Sequence, residues 1–408
     1  MKKVYVTGLG CLSSVGLNVE TSFQALVDGK CGIQKFPEWA NYKGLNTHLG
    51  APVGEVDVSK IPRSARRTMS RMSEMATIAT LEATAQAKLR FENHAYTPRI
   101  LLCLGSTTGS PESLDNYFRK LHERGGPEGQ LGTTFFKCMN HSVSSNVASA
   151  LEFYGPALGP SSACATSSQA VALGWELLQT GLYDIVIAGG ADELHHNSAS
   201  VFDIVMAASR NYNDQPEIAS RPFDKKRDGL VVSEGASVLV LETEESANRR
   251  EVQKLAQLKG AFYSCDGTHM TQTQSDSMAE TMKMAMERAG IKASDINYVN
   301  AHATSTIMGD QEEAKAIAKA IGSATPVSSL KGNAGHSLAA CGGFEAIMSI
   351  KMMQNGLILP THNLTEVDPA CAGIRHVQKI EKRELRNILS NNFAFGGINT
   401  SLILSSVE

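Results

Sequence analysis

The sequence lacks the cysteine spacings that build metal or disulfide sites. Its 408 residues include eight cysteines, at positions 11, 31, 103, 138, 164, 265, 341 and 371, and no two of them form a CxxC pair. Scattered cysteines in a chain of this length argue against a structural zinc site and against a disulfide framework. We therefore expect reduced thiols, most of them small buried side chains.

The sequence also lacks long apolar runs and a strong charge of either sign. No stretch approaches the ~18–20 apolar residues of a membrane span, and "MKKVYVTGLG" continues into a strand-like segment without a signal-peptide cleavage pattern. The formal net charge is -3 and 42% of residues are hydrophobic, which is ordinary for a globular protein and gives no sign of nucleic-acid binding. We expect a cytoplasmic protein.

Apolar strand-like runs alternate with helical patterns along the chain, which predicts a layered α/β fold. The helical patterns cover residues 72–89, 167–180, 276–289, 310–321 and 337–354. The chain exceeds the roughly 250–300 residues at which single cores stop growing, so we expect two halves, 1–250 and 251–408. A weak internal echo supports duplication, because "SSACATSSQAVALGWELLQTG" and "KGNAGHSLAACGGFEAIMSIKMMQNG" both lead from small residues into a buried helix that ends at glycine.

The stretch "GLGCLSSVG" after the first strand resembles a dinucleotide-binding fingerprint only in part. With Gly8 and Gly10 as the first two glycines, the third glycine position is occupied by Ser13. We therefore interpret this stretch as a tight turn and do not expect nicotinamide binding.

Cys164 in "GPSSACATSSQA" stands just before a predicted buried helix, among small residues that allow a tight strand-to-helix turn. The positive end of a helix favours an anion, so a thiol there can have a lowered pKa and act as a nucleophile. A buried structural cysteine is the alternative interpretation, and on this stretch alone it is the stronger one.

Candidate partners for this thiol lie at other strand-to-helix junctions. His302 ends an apolar strand in "NAHATSTIMGD", which predicts a helix start at Asp310, and His336 lies in the glycine-rich turn "KGNAGHS". Lys331 stands in the same loop, whose small and glycine-rich residues favour a buried ion pair. The segment "NNFAFGGINTSLIL" predicts either a hairpin turn with a core phenylalanine or a mobile lid whose backbone N–H completes an oxyanion hole.

Taken together, these motifs resemble the β-ketoacyl-acyl carrier protein synthases of the type II elongating class, in the thiolase-like superfamily. The resemblance spans nearly the full length, through "VYVTGLGCLSSVG", "SSACATSS", "VIAGGADE", "ASRPFDKKRDGLVVSEGASVLVLE", "NAHATSTIMGD", "KGNAGHSLAA" and "NNFAFGGINTSL". It implies a thiolase-like fold of five α-β-α-β-α layers built from two like halves. It also implies decarboxylative condensation of an acyl chain with malonyl-acyl carrier protein, with no required cofactor.

The resemblance assigns roles residue by residue. Cys164 is the acylated nucleophile, His302 and His336 act on the malonyl group, Lys331 lies beside the second histidine with Glu313 as its ion-pair partner, and the N–H of Phe395 joins that of Cys164 in the oxyanion hole. Thr304 and Thr306 correspond to the threonines that contact the phosphopantetheine arm. Asn300, Glu345, Ser390 and Asn391 correspond to a structural Na⁺ or K⁺ site of some relatives, and Arg63, Arg66, Arg67 and Arg71 to the basic patch that docks the acidic carrier protein.

Departures from the family pattern leave the pathway open. Ala303 and Ala394 stand where the family usually has glycine, which fits a specialised ketosynthase of an aryl polyene or type II polyketide pathway as well as fatty-acid elongation.

The family implies a dimer, with a copy of the chain or with a paralogue such as a chain-length factor. The intact Cys164, His302 and His336 argue against this chain being a chain-length factor itself. A thiolase would need a second catalytic cysteine in the phenylalanine-glycine loop, where neither Cys341 nor Cys371 lies, and a cysteine hydrolase would not explain the Lys331 loop.

Overall fold

The computed structural model describes residues 1–92, 94–271 and 274–407. The strands are β1 (Val4–Leu12), β2 (Gln34–Lys35), β3 (Leu49–Gly50), β4 (Ile100–Gly105), β5 (Ala157–Leu158), β6 (Ile185–Asp192), β7 (Gly235–Thr243), β8 (Ala256–Cys265), β9 (Tyr298–Asn300), β10 (Pro326–Ser328), β11 (Leu357–Ile358), β12 (Arg375–His376), β13 (Glu381–Lys382), β14 (Asn387–Ala394) and β15 (Ile398–Ser405). The α-helices are α1 (Val19–Val27), α2 (Arg63–Arg66), α3 (Arg71–Gln86), α4 (Pro111–Arg124), α5 (Gly132–Cys138), α6 (Ser142–Ala150), α7 (Thr166–Thr180), α8 (His196–Ile204), α9 (Glu244–Arg249), α10 (Ser275–Ala289), α11 (Ile307–Ala320), α12 (Lys331–Ala334) and α13 (Cys341–Asn355). Short 3₁₀ turns at Pro37–Asn41, Val58–Lys60, Ala163–Ala165, Pro216–Ile218, Ala293–Asp295, Leu338–Ala340 and Pro369–Cys371 complete these elements.

The main sheet repeats one topology on its two sides. Its strand order is β12-β10-β9-β14-β15-β8-β1-β7-β6-β4-β5, so the order β8-β15-β14-β9-β10 mirrors β1-β7-β6-β4-β5. The pairing directions also agree, because β1–β7 and β7–β6 are antiparallel like β8–β15 and β15–β14, whereas the pairs nearer the sheet edges, β6–β4, β4–β5, β14–β9 and β9–β10, are parallel. The two sides join through a short β1–β8 pairing, Tyr5 with Gln257 and Val6 with Ala256. The predicted boundary at residue 250 lies between β7 and β8.

Helices cover both faces of each side and give five layers. Helices α3 and α6 pack on the outer face of the first side, α10 packs on the outer face of the second side with α11 against it, and α7 and α13 pack against each other between the two. The strands β1, β6 and β7 are buried on both faces, as their continuous apolar runs predicted, because every one of their residues is buried. The predicted thiolase-like α/β fold is confirmed.

The glycines of "GLGCLSSVG" allow helix α3 to pack closely against strand β1. Gly8 and Gly10 lie inside β1, and a Cβ on Gly10 would stand 1.9 Å from the backbone oxygen of Ala79 in α3. Their lack of a side chain lets α3 approach the strand, so they form neither the predicted tight turn nor a phosphate loop.

Two predicted helix starts are wrong by about one turn. Helix α11 begins at Ile307, not Asp310, because the Asp310 side chain accepts hydrogen bonds from the backbone N–H groups of Phe223 and Ser305 from within the helix. The pattern at 337–354 divides into the 3₁₀ turn Leu338–Ala340 and helix α13. Within the described ranges, no helix is both long and apolar enough to cross a membrane.

Candidate active site

The two central helices begin in the same way, and Cys164 lies in the turn before the first of them. The 3₁₀ turn Ala163–Ala165 leads into α7, and the turn Leu338–Ala340 leads into α13. Both turns open on a residue with positive φ, 46° at Ala163 and 48° at Leu338, a left-handed conformation that costs a non-glycine residue energy. This tight turn holds the Cys164 thiol at the head of α7, as predicted, and the Sγ of Cys341 contacts the Cys164 carbonyl oxygen at 3.2 Å.

The expected lowering of the Cys164 pKa is wrong for this closed site. Burial raises the pKa of the thiol to about 12, and the nearby Lys331 ammonium offsets only part of that rise. A side chain that is 6% exposed loses most of the hydration that stabilises a thiolate. The thiol is therefore protonated in this state.

Both predicted histidines reach Cys164. One ligand-type atom from each of Cys164, His302 and His336 lies within 4.8 Å of the others, and the two imidazole rings meet edge to face with centroids 5.3 Å apart. Burial and the Lys331 charge hold the pKa of each imidazole well below its usual range. Two neutral imidazoles, each able to donate from a ring N–H, thus face one thiol.

The ion-pair partner of Lys331 is Glu345, and the predicted pairing with Glu313 is wrong. Lys331 lies in α12 and Glu345 in α13; both are almost fully buried, and the ammonium Nζ bonds to the Glu345 carboxylate. Glu313 instead accepts the backbone N–H groups of His302 and Ala303 at 2.8 and 2.6 Å. Glu313 therefore holds the strand end that carries His302, and burial raises the pKa of its carboxyl to about 8.

Phe395 lies in the loop between β14 and β15, so the predicted hairpin is present and its tip faces the site. The Phe395 ring packs on Phe202 with centroids 5.6 Å apart, and the next residues, Gly396 and Gly397, have φ of 83° and 72°. The backbone N–H groups of Cys164 and Phe395 both interact with the Cys164 sulfur, which supports the predicted oxyanion hole.

The cavity beside Cys164 is small. It has a volume of about 50 Å³ and is lined by Cys164, Phe202, Leu230, Met278, His302, Ala303, Thr304, Thr306, Gly309, Glu313, His336, Phe393, Ala394 and Phe395. Thr304 and Thr306 are joined through their hydroxyl oxygens, 3.1 Å apart, and both border this cavity. A space of this size holds a few water molecules, and a larger cavity adjoins it at Thr306, Gly309 and Phe395.

Arg71 does not belong to an open basic patch. Its guanidinium bonds to the Glu234 carboxylate and to the carbonyl oxygens of Val53 and Gly54. Of the other predicted docking residues, Arg63 and Arg67 are exposed and Arg66 is half-buried. The surface available to a partner is therefore Arg63, Arg66 and Arg67.

Only some of the residues predicted to bind a monovalent cation have oxygen atoms free to do so. Asn300 Oδ1 is buried without a hydrogen-bond partner among the described residues, which suits a hard cation. The Glu345 carboxylate, however, already bonds to Lys331 and to Asn392, while Asn300 Nδ2 donates to Ser390 Oγ and Asn391 Oδ1 accepts from Ser401 Oγ. The cation site stays a prediction, and no catalytic step is derived from it.

Two residues beside the site were not predicted as part of it. Asn392, in β14, contacts His302 and Glu345, and Cys341 lies with His302 and Glu345 in a second compact group. The run "SNNF" held no signal for this contact, because only the pairing of β14 with β9 brings Asn392 beside the segment that follows β9 and carries His302.

The fold has two like halves, and a cysteine and two histidines meet near the start of their central helices. This combination defines a thiolase-like ketosynthase. The N-terminal domain model of the beta-ketoacyl synthases matches residues 1–247, and the C-terminal domain model matches residues 255–365. The chain belongs to the β-ketoacyl synthase family.

Relatives span the whole chain. It is 36% identical to 3-oxoacyl-[acyl-carrier-protein] synthase 1 of Escherichia coli strain K12 over 100% of both sequences, and 32% identical to synthase 2 of Staphylococcus aureus strain COL over 100% of this chain and 99% of that one. A beta-ketoacyl synthase structure from Burkholderia phymatum superposes with a TM-score of 0.95 at 39% identity, with full coverage of both chains. A ketosynthase in complex with its chain length factor from Xenorhabdus doucetiae gives 0.84 at 28% identity, covering 100% of this chain and 98% of that one.

Proposed function

We propose that this protein catalyses the decarboxylative Claisen condensation of an acyl chain on Cys164 with malonyl-acyl carrier protein. The observation that carries the proposal is the meeting of one thiol and two neutral imidazoles within 4.8 Å in a buried cavity. None of these groups alone indicates this reaction. Together they supply a thiol that can hold the acyl chain covalently and two N–H donors that can stabilise negative charge.

In the first half-reaction the Cys164 sulfur attacks the acyl thioester of the carrier's phosphopantetheine arm. The C–S bond to the arm breaks, and the thiol proton passes to the departing arm. The N–H groups of Cys164 and Phe395 stabilise the tetrahedral oxyanion. A donor of this kind contributes about 2.7–4 kcal/mol to transition-state binding.

In the second half-reaction malonyl-carrier loses CO₂ and leaves an enolate. Neutral His302 and His336 donate hydrogen bonds to the enolate oxygen, a role for which their lowered pKa values suit them because an imidazolium would be costly in this buried site. The enolate carbon attacks the acyl-Cys164 carbonyl, the C–S bond to Cys164 breaks, and the Cys164 thiolate takes up a proton from water. The product is a β-ketoacyl-carrier two carbons longer.

Product analysis tests this reaction. We expect the protein, given acyl-carrier and malonyl-carrier, to release CO₂ and form the β-ketoacyl-carrier, with the acyl group found on Cys164 by mass spectrometry. Acyl-carriers of different length and unsaturation would show which chains load. A protein that neither loads Cys164 nor releases CO₂ from malonyl-carrier would contradict the proposal.

The carrier protein is proposed to dock on Arg63, Arg66 and Arg67. Charge reversal of the two exposed arginines, Arg63→Glu with Arg67→Glu, should lower the rate with carrier-bound substrate about tenfold at low salt, because rim charges mainly steer encounter. The matched control is Lys379→Glu with Lys382→Glu, the same charge change on exposed residues of the second half. If both double variants show the same rate and the same salt dependence, the patch is not the docking surface.

A dimer is proposed as the working form. Apolar side chains of α4, α5 and the turn before α5 are unusually exposed: Phe118 at 46%, Leu131 at 69%, Phe135 at 50% and Phe136 at 52%. Burial of this surface against a second subunit would explain it. A copy of the chain and a chain-length-factor paralogue both fit, since the solved structures similar to this chain include ketosynthases paired with a chain length factor.

A polyene or polyketide pathway is the second candidate. It rests on Ala303 and Ala394, whose methyl groups border the active-site cavity where the family usually has glycine. The likeness to the Xenorhabdus ketosynthase, at 28% identity, is compatible with it. The cytoplasmic location expected from the sequence stays a prediction.

A further inference from the structure

Asn392 is fully buried in β14 and has its amide nitrogen beside three polar groups of the active site. Nδ2 donates to the Glu345 carboxylate at 2.8 Å, lies 3.4 Å from Nδ1 of His302 and lies 3.7 Å from the Cys341 sulfur. The amide oxygen has no hydrogen-bond partner among the described residues. All polar contacts of this side chain are therefore made through its NH₂ group.

The orientation of the amide follows from the chemistry of Glu345. An ionised carboxylate only accepts hydrogen bonds, so the group that Asn392 turns toward it must be the NH₂ and not the oxygen. The buried Lys331 ammonium and the Asn392 amide both donate to Glu345, and these contacts favour its ionised form against the rise in pKa that burial causes. The ion pair thus determines which way the Asn392 amide points.

The amide in turn selects the proton position on His302. Nδ1 of His302 faces an N–H donor, so this nitrogen must be the unprotonated acceptor of the neutral ring. A proton on Nδ1 would set two donors against each other in a buried site, with a desolvation cost for each. The ring proton then belongs on Nε2, the nitrogen left for the cavity that His302 lines.

His336 has no such constraint. Neither of its ring nitrogens has a hydrogen-bond partner among the described residues, although the side chain is only 1% exposed. Its tautomer is free to follow the ligand. The two histidines are therefore unequal, one with an imposed proton position and one without.

We infer that Asn392 is a positioning residue that locks His302 as the Nε2–H tautomer, so that His302 acts as a permanent hydrogen-bond donor to the enolate. The chain Lys331–Glu345–Asn392–His302 transmits this constraint from a buried ion pair to the reacting centre. This inference rests on the proposed function for its catalytic consequence, but the tautomer itself does not depend on it.

The test substitutes the donor by an acceptor of the same shape. In Asn392→Asp the side chain can accept a proton from Nδ1, and the tautomer of His302 should switch. We expect CO₂ release from malonyl-carrier to fall about 10²- to 10³-fold, the usual effect of removing one donor from a developing oxyanion. Acylation of Cys164, which uses the Cys164 and Phe395 N–H groups, should fall less than about tenfold. The difference between the two losses distinguishes a positioning role from general disruption of the active site.

Nitrogen-15 NMR of histidine-labelled protein reads the tautomer directly. The His302 signals, assigned by comparison with His302→Gln, should show protonated Nε2 and bare Nδ1 in the unsubstituted protein and the reverse in Asn392→Asp. Asn146→Asp is the matched control, since Asn146 is also buried and makes its side-chain contacts with Thr68 and Ser73. It should leave the His302 tautomer unchanged.

The outcomes are separable. If the unsubstituted protein shows a proton on Nδ1 of His302, the inference is overturned, and this measurement stands even if Asn392→Asp does not fold. Equal losses of CO₂ release and Cys164 acylation would also overturn it. A protein with the Nε2–H tautomer that fails to release CO₂ from malonyl-carrier would overturn the proposed function and leave the tautomer assignment intact.

Discussion

Cys164→Ala should lose condensation activity by a factor of about 10⁴ or more, because the substitution removes the thiol that holds the acyl group. Cys341 is the thiol that contacts the Cys164 turn, but it is buried in the core, its Sγ bonds to the Cys164 carbonyl oxygen, and burial raises its pKa well above the ordinary value. The substitution removes only the sulfur from a turn whose backbone is already strained at Ala163. We therefore expect little change in fold.

The measurement is mass spectrometry of the chain after incubation with acyl-carrier, together with product formation. Cys164→Ala should carry no acyl group, whereas the control Cys103→Ala, a buried cysteine in β4, should load normally. CO₂ release from malonyl-carrier should persist in Cys164→Ala, since the histidine pair that stabilises the enolate is intact. Acylation of a second cysteine in Cys164→Ala would show that the nucleophile is assigned wrongly.

Breaking the Lys331–Glu345 ion pair from one side should destabilise the protein by about 3–5 kcal/mol, because the remaining group is left buried without its partner. Lys331→Met leaves the Glu345 carboxylate buried without its cation, and Glu345→Gln leaves the Lys331 ammonium buried without its anion. Urea unfolding at one fixed protein concentration should show this loss in each single variant, the concentration being held because a dimer's stability depends on it.

The double variant separates the stability role from the catalytic one. Lys331→Met combined with Glu345→Gln removes both charges and keeps an acceptor for Asn392, so most of the unfolding free energy should return. Condensation activity should not return, because the Lys331 charge that contributes to lowering the pKa of His302 and His336 is gone and the amide of Asn392 is no longer fixed by a charge. Single variants as stable as the unsubstituted protein would contradict a buried ion pair here.

Much of the site was predictable because neighbouring residues determine the turns and helix starts in which its side chains lie. The small residues around Cys164 predicted the tight turn before a buried helix, and the glycine pair after Phe395 predicted the hairpin that the structure shows between β14 and β15. His302 stands between β9 and α11, at the strand-to-helix junction that its flanking pattern indicated. His336 instead lies between the short helix α12 and the 3₁₀ turn before α13, so that prediction is wrong for His336. Hydrophobic periodicity and turn-forming residues act over a few positions, so they can be interpreted from the sequence before the fold is known.

The partners of buried charges could not be derived in this way. Glu313 and Glu345 both lie within a short sequence distance of Lys331, and nothing in their flanking residues separates them. Only the packing of α13 against α7 places Glu345 at the ammonium, while the start of α11 at Ile307 turns Glu313 to the backbone of His302. The lowered thiol pKa failed for a related reason, since burial and not helix position decides it.

The sequence by itself determined the α/β layering, the turn that presents Cys164 and the three side-chain types of the reaction, because these depend on periodicity and on residues adjacent in the chain. Only the tertiary structure decided that Lys331 pairs with Glu345, that Arg71 is bound to Glu234, and that Asn392 faces His302. Each of those contacts joins segments that are distant in sequence or carried on different helices and strands. Hydrogen bonds and buried ion pairs act over about 3 Å, so their partners are selected only when packing has set the distances.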